Sequence, residues 1–81
     1  MDFETFKEIY EPQTLTKQFD VLIENIQWFE GRRVDYIQAH SDYDRAYFAK
    51  EREEMGKRVD WLYGIVRTKI KDIELMNKKG E

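Results

Sequence analysis

His40, Ser41 and Asp44 are the residues whose types come nearest to nucleophilic or acid–base chemistry. A serine becomes a nucleophile when a histidine takes its proton and a carboxylate holds that histidine in place. Here the histidine and serine are sequence neighbours, and neighbours on a helix point apart. His40 and Asp44 have i, i+4 spacing but straddle an expected turn, which leaves His40 as a turn residue or a partly buried seam residue. Glu4 with Glu8, and Asp20 with Glu24, place carboxylates one helical turn apart. Di-metal helical bundles complete such pairs with Glu-x-x-His. No such motif occurs in the chain, so these acids read as a solvated face. Without cysteine there is no thiol nucleophile, thiolate metal site or disulfide. A phosphate-cradling glycine loop and zinc-ligand spacing are also missing from the sequence. The expectation is a chain that is not an enzyme, with no catalytic residue, cofactor or metal.

The elements that would carry any site are helices. The chain has 81 residues, a single-domain length. A domain of this size buries a modest core and gains from oligomerisation or partner binding. Charged residues make up 38% of the chain and aromatics 15%, with a formal net charge of -3. That balance argues against a disordered acidic tail and against a general nucleic-acid binder. Nothing is apolar for long enough to span a membrane. The acidic start Met1-Asp2-Phe3-Glu4 lacks the basic and apolar stretches of a signal peptide, so a cytoplasmic location is expected.

Asp2 suits an N-cap, and Phe3, Phe6 and Tyr10 share one helix face, which predicts a helix over about residues 2–10. Pro12 disfavours helical geometry at Glu11 and should end it. A second helix over about residues 14–39 carries the seam Leu15, Phe19, Leu22, Ile26, Phe29, Arg33, Tyr36, at heptad spacing. Ser41 followed by Asp44 resembles a capping box and places a turn near His40 to Asp42. One continuous helix is the competing reading there, since neither Gly nor Pro enforces a break. The third helix, about residues 42–77, carries the seam Met55, Val59, Leu62, Val66, Lys69, Ile73, Met76. Lys78 and Lys79 complement its dipole and Gly80 suits its termination.

The expected fold is therefore all-α: a short N-terminal helix plus a long antiparallel, coiled-coil-like hairpin, dimerising into a helical bundle, in one domain over residues 1–81. Positions whose numbers sum to about 83 would then face each other across the hairpin. This puts Trp28 near Met55 and Gly56, and Phe19 near Gly64 and Ile65. The two glycines either make room for those aromatics or are tolerated at the surface.

Apolar residues exceed what one seam per helix can use. Val21, Ile23, Trp28, Val34 and Ile37 lie off the second-helix seam, and Trp61, Tyr63, Ile65 and Ile70 off the third. A broad three-helix core would absorb most of them; otherwise they mark a binding surface. Trp61 and Trp28 lead the candidate protein-binding residues, with Ile65, Tyr63, Tyr47 and Phe48. Residues 1–30 hold seven acids and two bases, whereas residues 65–79 hold five bases and two acids. An antiparallel hairpin brings these ends together, so complementarity within the chain is expected.

Asp42-Tyr43-Asp44-Arg45-Ala46, continuing to Ala49-Lys50-Glu51, resembles the start of the second helix of the UVR motif. The Ala-Ala pair of that motif is Ala46-Tyr47 here, and its Arg-Asp pair is Lys50-Glu51. UVR motifs are short antiparallel helical hairpins in the excinuclease subunits UvrB and UvrC, and in the unfoldase ClpC and its partner McsA. The resemblance implies protein–protein contact. The functional expectation is an adaptor, inhibitor or regulator with a protein partner, of the kind a phage or mobile element uses on a host machine such as a Clp unfoldase. The alternative is a nucleic-acid-binding or DNA-mimic regulator using its charged ends. Duplex binding itself is disfavoured by the acidic balance, because it rests on neutralising phosphates with Lys and Arg.

Overall fold

The computed structural model describes residues 1–79. They form three helices, α1 (Phe3–Tyr10), α2 (Leu15–Gln38) and α3 (Asp42–Lys79), with no strand among the described residues. Gly80 lies outside them.

Each helix begins where a side chain can satisfy an orphan backbone donor. Asp2 Oδ1 accepts from the Thr5 amide at 2.8 Å, Thr14 Oγ1 from Lys17 at 3.2 Å, and Ser41 Oγ from Asp44 at 3.1 Å. The Thr5 bond holds the Asp2 carboxyl below its usual range. Its capping contribution is therefore present above the ordinary carboxylate range and is lost as pH falls through the lowered value.

α1 does end at Tyr10, though not through extended geometry at Glu11. That residue keeps helical angles, φ -59° and ψ -44°, and its amide still bonds the Lys7 carbonyl. Pro12 stops the helix by supplying no next donor. The freed carbonyls of Tyr10 and Glu11 accept from Gln18 Nε2, at 2.8 and 3.1 Å. Gln18 is fully buried, and its Oε1 in turn accepts from Lys69 Nζ at 2.6 Å. One α2 side chain thus ties the end of α1 to α3.

α2 and α3 pack along their length, and α1 lies on α3. The fully apolar core is small: Phe6, Val21, Leu22, Leu62 and Val66, flanked by Phe3, Tyr10, Leu15, Val59 and Trp61. It sits at the end of the hairpin that α1 covers. Towards the turn, the interface holds half-buried Phe29, Arg32, Phe48, Glu51, Arg52 and Met55. Arg32 pairs with Glu51 at 3.0 Å, and the Arg52 guanidinium lies 4.2 Å from the Phe29 ring centroid.

The phase of α2 differs from the heptad seam read from the sequence. Leu22 and Phe29 do face α3, but Phe19, Ile26, Arg33 and Tyr36 are exposed. Gln18, Asn25 and Arg32 take the inner flank instead. Across the hairpin, Gly56 receives Phe29 rather than Trp28, with the ring edge 3.4 Å from where a Cβ would stand. Gly64 faces open space rather than Phe19. On α3, Met55, Val59, Leu62, Val66 and Lys69 lie inward. Ile73 and Met76 are exposed because α3, at 38 residues, outruns the 24 residues of α2.

A helical break separates Gln38 from Asp42, and Ser41 caps the start of α3. Inserting Gly-Ser between His40 and Ser41 leaves that cap in place. Lengthening the connection should then cost about 0.5 kcal/mol of closure entropy. Circular dichroism should show unchanged helicity and a nearly unchanged melt; a marked loss of helicity would mean that the helices need continuity here.

Candidate protein-binding surface

His40 is exposed in the turn, and Ser41 is occupied as a cap. Among the described residues no cluster of three or more His, Cys, Asp or Glu is placed to hold a metal ion, and no helix is long and apolar enough to cross a membrane. The features that remain are apolar.

The six candidate residues do not form one patch. Trp61 is half-buried beneath α1, its ring 6.5 Å from Phe3 and 6.0 Å from Phe6, both edge-on. Ile65 lines a shallow cleft beside Trp61, together with Glu11, Thr68 and Lys69. Trp28 is 52% exposed and stands near Gln27, Arg32 and Met55. Tyr47 packs edge-on to Phe48 at 5.4 Å, and the Arg32 guanidinium lies 5.9 Å from the half-buried Phe48 ring. A hydrogen bond to Glu51 raises the Tyr47 phenol above its usual range. Tyr63 is exposed and lines a separate groove with Phe19, Val66, Arg67 and Ile70.

A more continuous feature is one the heptad reading assigned partly to the core. Phe19, Ile23, Ile26, Val34 and Ile37 are all exposed, from 38% at Ile26 to 68% at Ile37. Their spacing puts them on one side of α2, with the paired charges Glu30 and Arg33 among them. The sequence signal for this stripe is the excess itself. Leu15, Leu22 and Phe29 complete a heptad pattern with either Phe19 and Ile26 or Gln18 and Asn25, and only one set can face α3.

The charged ends are not neutralised as the hairpin would allow. Among the described residues the ion pairs are Lys7–Glu4, Arg32–Asp35, Arg32–Glu51, Arg33–Glu30, Arg45–Asp42 and Lys57–Glu54. None joins an acid of residues 1–30 to Arg67, Lys69 or Lys71. Lys69 binds uncharged oxygens instead, Gln18 Oε1 and, at 3.3 Å, the Gln13 carbonyl.

No family model, curated protein or solved structure matches the chain.

Proposed function

We propose that this chain is a small protein–protein interaction module, an adaptor, inhibitor or regulator that acts by binding rather than catalysis. The observation that carries this reading is the apolar stripe of α2, exposed from Phe19 to Ile37. Exposed apolar surface of this extent marks interaction sites in soluble proteins. The aromatic anchors Trp28, Tyr63 and Tyr47 add rings of the type enriched at binding hot spots. The UVR-like stretch Asp42–Glu51 opens α3. It directs the proposal towards a cytoplasmic host machine of the Clp or nucleotide-excision type, engaged by a phage or mobile-element product.

Immobilised chain exposed to cell lysate, with mass-spectrometric identification of what it retains, tests this reading. A protein held at near-stoichiometric amount, and released by Trp28→Ala or Tyr63→Ala, supports it. A monomeric chain that retains no protein removes it.

A second reading, a nucleic-acid-binding or DNA-mimic regulator, is favoured by charged ends without ion pairs among the described residues: the bases Arg67 and Lys71 for the first, the acids Glu8, Asp20 and Glu24 for the second. Affinity for DNA, or for a DNA-binding protein, that falls steeply with added salt would support that reading over the first.

A further inference from the structure

We propose that α1 is a displaceable clasp, seated in a groove of the α2–α3 hairpin that accepts a competing helix of the same chemistry. The site lies apart from the exposed stripe on which the interaction-module reading rests, because α1 covers it. α1 itself shows what the groove takes: an amphipathic helix with an acidic cap, Asp2, and aromatic rings at i, i+3 and i+7, namely Phe3, Phe6 and Tyr10.

Several features make α1 the element that lets go. Its helix has eight residues, fewer than the roughly 12–15 at which an isolated helix becomes even marginal, so it is helical only while docked. Phe6 is its one buried residue; Phe3, Lys7 and Tyr10 are half-buried and the rest of the helix is exposed. Docking also carries a cost. Arg58 meets α1 twice, with its guanidinium 5.0 Å from the Phe6 ring centroid and a hydrogen bond to the Met1 carbonyl, yet its Nε is buried without a partner. An unpaired buried donor opposes the state that buries it, and opening returns it to water.

The hairpin that α1 leaves stays tied. Gln18 Nε2 gives up the Tyr10 and Glu11 carbonyls, while Gln18 Oε1 keeps Lys69 and still joins α2 to α3. Towards the turn, Phe29 remains against Gly56 and Arg32 remains paired with Glu51, contacts in which α1 takes no part. The opened groove presents Trp61, Leu62, Val66 and Val21, the side chains that cluster with Phe6. A helix that brings an aromatic ring to that place competes with α1. Its apparent affinity is the intrinsic affinity scaled by the fraction of chains that are open.

The test uses the full chain and a fluorescently labelled peptide of residues 1–13, followed by anisotropy. Asp2→Ala in the chain removes the α1 cap at an exposed position. It should tighten peptide binding about fivefold, because it weakens the internal competitor and leaves the groove intact. Phe6→Ala in the peptide should weaken binding at least about 30-fold, the scale of a hot-spot loss. A helix that is only one part of an all-or-none core gives no such gain. Amide exchange of the unmodified chain supplies an independent readout: residues 3–10 should exchange ahead of the amides around Leu22 and Leu62. A peptide that binds neither chain, an Asp2→Ala chain that binds no tighter, or α1 amides that exchange in step with the hairpin overturns the proposal. Capture of a protein from lysate bears on the interaction-module reading alone, so the two can fail separately.

Discussion

Leu62→Ala is expected to cost about 3–4 kcal/mol, within the range for truncating a fully buried leucine. Leu62 has no exposed surface and lies in the cluster of Phe6, Val21, Leu22 and Val66 that joins all three helices. The total stability of an 81-residue chain is about 4–12 kcal/mol. One truncation therefore removes a large share of it. Leu75→Ala is the matched control. The same side chain on the α3 overhang is 56% exposed and should change stability by no more than about 0.5 kcal/mol. Urea unfolding at low protein concentration measures both without a contribution from association. A Leu62→Ala loss below about 1 kcal/mol would mean that the core lies elsewhere.

Trp61→Ala should also destabilise the protomer, by about 2–3 kcal/mol, less than the 3–5 typical of a fully buried tryptophan. The indole is half-buried, but both Phe3 and Phe6 pack edge-on against it. Its removal strips α1 of an aromatic platform and leaves Phe6, the Gln18 hydrogen bonds and the Arg58 bond to the Met1 carbonyl to hold the helix. Amide exchange should accelerate first in residues 3–10, ahead of the hairpin. Unchanged melting with binding lost would instead make Trp61 an interface anchor whose packing against α1 adds little to stability.

The helical class and the pairing of two long helices were legible from the spacing of apolar residues, and the start of α3 from Ser41 and Asp44. The phase of α2 was not. Heptad spacing is satisfied equally by Phe19 with Ile26 and by Gln18 with Asn25, because both sets share Leu22 and Phe29. Hydrophobicity favours the first set. The fold uses the second because a buried Gln18 can satisfy two carbonyls left by Pro12 and accept from Lys69, contacts that exist only once three helices meet. Asn25 shows the cost of that choice: its amide donates to the Val21 carbonyl at 2.8 Å, while its Oδ1 is buried without a partner. A polar inner flank and an apolar outer flank on the same helix are what turn a seam expected in the core into a candidate interface. The glycines were half legible. Gly56 does admit an aromatic ring, Phe29, one position along from the residue that a simple sum rule selects.

The apolar surface that the hairpin leaves exposed is proposed to drive self-association. Sedimentation equilibrium of the unmodified chain across the micromolar range tests it most directly. A mass rising with concentration from 9.9 kDa to twice that value is the expected result. A single 9.9 kDa species at every concentration would contradict self-association.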